Sequence, residues 1–236
     1  MRTSRTVSDL ETAIEEIGRG TGIGFSNLFS DFLEIALCLL CNNPTESQRK
    51  TLQKTFDDEK KKALFFNALK IYGSAAEGYA DPLGNIFMER ISRGHNGQFF
   101  TPDNVCKMMA QILHTDGDTI NDPCCGSGRT LLAGLEEARK NGKEPTIYAN
   151  DLSYTAAQMC LMNLLFNSAK GMVSCGDSLR LDFSTFIFFK IDRVMMPDGR
   201  WMSTYWQYTD NNFSDFKTDR KKWIKEMADN GLFVEL

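Results

Sequence analysis

No run of apolar residues in this 236-residue sequence approaches the roughly 20 needed to cross a bilayer. The start, Met1-Arg2-Thr3-Ser4-Arg5, is polar with no apolar signal core behind it, so the chain is expected in the cytoplasm. Histidine is scarce: His95 falls in a polar turn and His114 at a helix end, where a cation is favoured, and neither is assigned a catalytic role. An even set of cysteines is lacking as well. The seven (Cys38, Cys41, Cys106, Cys124, Cys125, Cys160 and Cys175) lie in apolar or small-residue contexts that suit reduced thiols better than a disulfide framework. Cys38 and Cys41 form a lone C-x-x-C inside the apolar run Phe32 to Cys41, without a second ligand pair, which points to a buried helix rather than a zinc site. Excess positive charge is missing: 27 Lys and Arg against 31 Asp and Glu leave a net charge of −4. With a pI near 5.3 there is no overall attraction to a polyanion, and any nucleic-acid affinity needs a local patch or a basic partner. No internal repeat or low-complexity tract is present. What remains, 42% hydrophobic and 25% charged residues, is the composition of a globular protein large enough for one α/β domain and a smaller appendage.

The first eighty or so residues have helix-compatible apolar spacing and little strand signal. One helical segment is predicted from about Phe25 to Cys41 and another from about Ser47 to Tyr72, separated by Asn42-Asn43-Pro44-Thr45. The charge run Asp57 to Lys62 reads as a solvated helix face. After a turn at Gly78 to Pro82, Leu83 to Ile91 allows one more short helix, and Gly94 and Gly97 mark a domain boundary, giving 1–93 and 94–236. From there strand and helix signals alternate, the mark of a parallel α/β sheet. Helices are predicted over Pro102–Leu113, Arg129–Lys140 and Tyr154–Ser168, and strands over Thr119–Asp122, Thr146–Asn150 and Met172–Cys175. Beyond Asp177 the pattern weakens to an apolar run Phe186 to Phe189, aromatics at Trp201, Tyr205, Trp206 and Tyr208, a basic stretch from Lys217 to Lys225, and a final strand-like Leu232 to Leu236.

Chemistry concentrates at Asn121-Asp122-Pro123-Cys124-Cys125-Gly126-Ser127-Gly128, between a predicted strand and a predicted helix. Gly126 and Gly128 let the backbone turn sharply and come close to a ligand, and the N–H groups of the following helix start are donors to it. Asp151 ends the next strand, where a carboxylate can accept both hydroxyls of a ribose, and Asp177 ends the third. In an open parallel sheet the three acids face one crevice of nucleoside size. Each aspartate taken alone reads equally well as a turn or helix cap, and a G-x-G alone also suits a nicotinamide enzyme.

Gly97-Gln98-Phe99-Phe100-Thr101-Pro102, about twenty residues before the glycine loop, resembles the G-Q-[FY]-[FY]-T-P motif of type I restriction-modification methylation subunits and related adenine-N6 DNA methyltransferases. Asp122 to Gly128 resembles that family's D-P-x-C-G-S-G loop, Asp151 with Met162-Asn163-Leu164-Leu165 its ribose-binding strand and helix, and Gly176-Asp177-Ser178-Leu179 its G-D-[ST]-L. The likeness runs from about Asp81 to Leu179. It implies a Rossmann-like S-adenosylmethionine-dependent methyltransferase fold preceded by a small helical domain, with S-adenosyl-L-methionine as cofactor. It places Phe100, Thr101, Asp122, Pro123, Cys125, Gly126, Ser127, Gly128, Asp151, Leu152, Asp177 and Ser178 at the cofactor. Thr101 and the Gly126 loop fall near the methionine moiety, Asp151 at the ribose and Asp177 at the adenine amino group. The resemblance further implies DNA as partner, met through a specificity subunit or another protein of a multisubunit complex.

One motif of that family is not in this sequence. The family's [DN]-P-P-[FYW] holds a flipped adenine by accepting from its amino group and stacking on the base. The nearest segment, Met195-Met196-Pro197-Asp198, has a single proline, no preceding amide or carboxylate and no aromatic partner, and reads as a turn. No catalytic residue is therefore assigned, the α/β domain is expected to be shortened or altered after its third strand, and a non-catalytic cofactor-binding or regulatory protein stands as the alternative. In the basic and aromatic tail, Asp215, Asp219, Glu226 and Asp229 dilute the charge of Lys217, Arg220, Lys221, Lys222 and Lys225, so a solvated helix is the simpler reading.

Overall fold

A computed structural model describes residues 2–92, 100–113, 118–180, 185–196 and 199–208. Five helices come first: α1 (Arg2–Ile17), α2 (Phe25–Leu40), α3 (Glu46–Phe56), α4 (Glu59–Ala75) and α5 (Pro82–Ile86), the last running into a π-helical turn at Phe87–Ser92. Then follow α6 (Asp103–Ile112), β1 (Thr119–Asp122), α7 (Arg129–Lys140), β2 (Thr146–Asp151), α8 (Tyr154–Phe166), β3 (Lys170–Cys175), β4 (Ile187–Met195) and β5 (Trp201–Tyr208). None of the described helices is long and apolar enough to cross a membrane.

Two helix boundaries differ from the periodicity reading. The segment expected to run unbroken from Ser47 to Tyr72 is two helices, because each has its own N-cap. Thr45 and Gln48 form a reciprocal capping box for α3, and Asp58 Oδ1 accepts from the N–H groups of Lys60 and Lys61 to start α4. The charge run is thus a cap followed by a largely exposed first turn. Helix α1 was not anticipated, although Leu10 and Ile14, both buried, with Val7 and Ile17 partly so, mark one face at helical spacing. That face packs on α4. Helix α2 exposes Ser26, Asn27, Ser30, Asp31 and Glu34 and buries Leu28, Phe29, Phe32, Leu33 and Ile35 to Cys38, packing against α1, α3, α8 and β5. Cys38 lies buried on it, and Cys41, half-buried, ends it.

The sheet has the order β1-β2-β3-β4-β5. The first three strands are parallel, as the alternating pattern predicts, and their registers pair Asp122 with Ala149 and Asp151 with Cys175. After β3, where the domain is expected to be shortened or altered, the parallel order ends. β4 runs antiparallel to β3, with Val173 opposite Phe189, and β5 antiparallel to β4, with Ile191 opposite Tyr205. A parallel return needs a dozen or more residues, usually with a helix; β3 ends at Cys175 and β4 begins at Ile187, a span that favours direct reversal. Residue 196 bonds to Arg200 and Gly199 to Met196, closing the β4–β5 connection; Pro197 and Asp198 lie outside the described residues.

Ile147, Ala149, Val173, Phe189, Ile191 and Tyr205 point to one face, where they join α2, α4, α5, α7 and α8 in a single apolar cluster. The outer edge of β5 is closed by the α2–α3 connector. Asn42 N–H donates to the Tyr205 carbonyl, and Asn43 pairs with Gln207 twice, its Nδ2 donating to the carbonyl and its Oδ1 accepting from the N–H, each at 2.8 Å. This covers an edge that would otherwise offer unpaired backbone groups.

Because helices and sheet share one core, truncation within it is expected to lower the stability of both. Phe32, 1% exposed and in ring contact with Phe65 and Tyr72, is the test position. Phe32→Ala should cost about 3–5 kcal/mol. Far-UV circular dichroism and tryptophan fluorescence should trace the same denaturant transition in wild type and variant; two separated transitions would instead make 1–93 and 94–236 independent units.

Candidate functional site

The carboxyl ends of β1, β2 and β3 meet around Asn150, which is fully buried. Its Nδ2 donates to the carbonyls of Pro123, after β1, and Gly176, after β3, while its Oδ1 accepts from the Ser174 hydroxyl at 2.8 Å. Cys125 N–H donates to the Asn150 carbonyl at 2.9 Å and Gly176 N–H to the Asp151 carbonyl at 3.1 Å. Three strand ends are thus joined through satisfied buried groups, which is what makes a buried amide tolerable.

On this base the chain from Pro123 to Gly128 turns into α7. Gly126 has φ +54° and Gly128 φ +89°, backbone that L side chains rarely adopt. Space forbids a side chain too: a Cβ on Gly126 would lie 2.8 Å from the Phe100 ring, and one on Gly128 2.9 Å from Cys160 Sγ. Phe100, the first described residue after 92, stacks on Phe87 with centroids 5.8 Å apart. The glycine loop is therefore packed between the Phe100-Thr101 segment and α8. The Gly97-Gln98-Phe99 part of that motif, both histidines and the tail from 209 onward lie outside the described residues.

The three strand-end aspartates are arranged on a diagonal rather than level. Asp122 is level with Ala149, two residues before Asp151, and Asp151 is level with Cys175, two before Asp177. Each also has local work. Asp122 accepts from Cys124 N–H and from the Thr130 hydroxyl, Asp177 Oδ1 from the N–H groups of Leu179 and Arg180, and Asp151 Oδ1 from Ser153 N–H. Asp151 Oδ2 does more than cap, since it accepts from Gly126 N–H at 2.8 Å and ties the glycine loop to β2. Each oxygen of Asp151 keeps a further lone pair.

Phe100, Thr101, Asp122, Cys125, Gly126 and Ser127 line one cleft with Cys124, Arg129 and Thr130. Pro123 is exposed and Gly128 buried beside it. Asp151, Leu152, Asp177 and Ser178 are outside that lining, at the neighbouring strand ends; Leu152 projects into solvent, 72% exposed. Sequence reasoning missed Arg129, Asn150 and the buried acid Asp81. Asp81 pairs with Arg129 Nε at 2.7 Å and accepts from Ser127 Oγ. Only the Asp81-Pro82 capping signature hinted at it. Among the described residues no cluster of His, Cys, Asp or Glu can hold a metal ion.

A family profile described as N-6 DNA Methylase matches residues 84–233, more than half of the chain. The chain belongs to that family. Its curated relatives include the type I restriction enzyme MjaIX methylase subunit of Methanocaldococcus jannaschii, 34% identical over 89 residues (36% of this chain and 16% of that one). The MpnII methylase subunit of Mycoplasma pneumoniae is 26% identical over 188 residues, covering 71% of this chain and 33% of its own length. The type II methyltransferase M.MamI of Microbacterium ammoniaphilum is 31% identical over 114 residues, covering 39% and 32%. The chain therefore spans between 16% and 33% of the length of these relatives.

The thiols around the loop differ in reach. Cys124 is exposed, whereas Cys125, Cys160 and Cys175 are buried. A hydrogen bond with Cys160 and burial push the Cys125 thiol up, burial aided by the Asp151 charge pushes Cys175 up to about 11, and partial burial beside Asp122 and Asp151 raises Cys124. Alkylation of the folded protein should therefore modify Cys124 well before Cys38, Cys106, Cys125, Cys160 and Cys175, at a rate still climbing above pH 8.5. Peptide mapping by mass spectrometry reads the order; early labelling of Cys125 or Cys175 would contradict it.

Proposed function

We propose that this chain is the S-adenosyl-L-methionine-binding part of an adenine-N6 DNA methylation system of the type I restriction-modification kind. The observation that carries the reading is the tie between Gly126 N–H and Asp151 Oδ2 at 2.8 Å, which couples a glycine loop to the acid at the end of the next parallel strand. Family membership supplies the reaction class, and its cofactor provides an activated methyl group on a sulfonium. Thr101 and the loop from Asp122 to Gly128, with Phe100 packed against Gly126, receive the methionine moiety. Asp151 accepts the ribose hydroxyls through its remaining lone pairs. Leu152 offers its exposed apolar surface to the adenine ring, and Asp177 with Ser178 takes the adenine amino group. DNA is the methyl acceptor, brought by a specificity subunit or another partner, in keeping with the net charge of −4.

Calorimetry should detect S-adenosylmethionine binding to wild type, and Asp151→Ala should bind roughly ten- to hundredfold more weakly, the cost of about 1–3 kcal/mol for a lost buried polar contact. Equal affinity in the two folded proteins would remove Asp151 from the site. The ligand should also slow alkylation of Cys124, which lines the cleft.

The base-holding tetrapeptide is not in this sequence, so the chain alone is expected to transfer no labelled methyl group to adenine-containing DNA above background while still holding cofactor. Positioning of the reacting group accounts for several orders of magnitude in rate. Adenine methylation by the chain alone, abolished by Asp177→Ala, would overturn this expectation.

A further inference from the structure

Asp81 is 2% exposed and lies just before α5, outside the cleft. Capping a five-residue helix needs one acceptor, yet this carboxylate collects four donors. Oδ1 accepts from Gly84 N–H at 2.8 Å and Asn163 Nδ2 at 2.7 Å; Oδ2 accepts from Ser127 Oγ at 2.5 Å and Arg129 Nε at 2.7 Å. Two of the four come from the glycine loop and the first residue of α7. Asn163, fully buried, gives another N–H to the Ser127 carbonyl at 2.9 Å and accepts from the Tyr72 hydroxyl at 2.8 Å. Ser127 is therefore held at its hydroxyl by Asp81 and at its carbonyl by Asn163, while the preceding Gly126 N–H is held from β2 by Asp151. The node has no slack: a Cβ on Gly84 would lie 2.0 Å from Asp81 Oδ2 and 2.5 Å from Ser127 Oγ.

A loop with two glycines is costly to order, and a ligand that must order it binds more weakly by that amount. We propose that Asp81 is a positioning residue for the cofactor site: acting through Ser127 and Arg129, it holds the glycine loop in its binding conformation without touching the cofactor. The inference rests on reading that loop as the S-adenosylmethionine site.

Two variants cut the link differently. Asp81→Asn keeps the shape but turns an N–H toward Arg129 or Ser127, and Ser127→Ala removes only the hydroxyl while leaving the Asp81–Arg129 pair. Tyr72→Phe, a control, loosens Asn163 from the helical side. Asp81→Asn and Ser127→Ala should each bind S-adenosylmethionine at least about tenfold more weakly by calorimetry. Amide exchange over 123–130 in the ligand-free proteins should quicken by about tenfold or more. Tyr72→Phe should lower the thermal midpoint with affinity within about twofold of wild type. Should Asp81→Asn fail to fold, Ser127→Ala decides. Wild-type affinity together with wild-type loop exchange in a folded Ser127→Ala would overturn the proposal, as would an affinity loss in Tyr72→Phe equal to that of the other two. A wild type that binds no S-adenosylmethionine would refute the functional reading instead, and the exchange measurement would still show whether Asp81 holds the loop.

Discussion

The carboxyl edge of the parallel strands depends on buried polar groups finding partners without water. Asn150 meets this constraint for the sheet, joining the ends of β1, β2 and β3 through one amide. Asp81 meets it for the loop, with four donors around a carboxylate that water does not reach. A buried charge or amide left unpaired costs far more than a partnered one contributes, so each group over-determines its surroundings. The glycine loop lies between these two centres, and its geometry is inherited from both.

The same constraint explains why the helical segment and the sheet are not separable by inspection. Tyr72 on α4 donates to Asn163 on α8, and Asn163 donates both to Asp81 before α5 and to the loop. Apolar packing runs parallel to this polar chain, through Phe32, Phe65 and Tyr72 to Phe166. At the other edge Asn43 provides β5 with the two hydrogen bonds a neighbouring strand would give. Helices outside the cleft thus help to hold the glycine loop that lines it.

A sheet with a glycine loop admits many chemistries. The match over 84–233 decides the family. Asp122 and Asp151 each accept one hydrogen bond at either oxygen, but Asp151 alone ties the glycine loop to the next strand, and the Leu152 side chain is exposed beside it. The antiparallel β4–β5 hairpin follows β3 and completes the sheet among the described residues.

By itself the sequence determined the local elements of the α/β part: β1, α7 and α8 begin at the residues the pattern indicates, and the glycine loop, Asp151 and Asp177 were legible because each follows or ends a strand, as Phe100-Thr101 was because it leads into a helix. Caps were legible in principle, as Thr45 with Gln48 and Asp58 show, and the missed α1 had its apolar face at Leu10 and Ile14 in plain view. Tertiary structure alone decided the rest. That Asp81 meets Ser127 and Arg129, or Asn150 both Pro123 and Gly176, depends on contacts between segments whose separation along the chain carries no periodic trace. The reversal after β3 is of the same kind: strand direction follows from what packs and pairs across the sheet, and residues that favour a strand favour it equally in either direction.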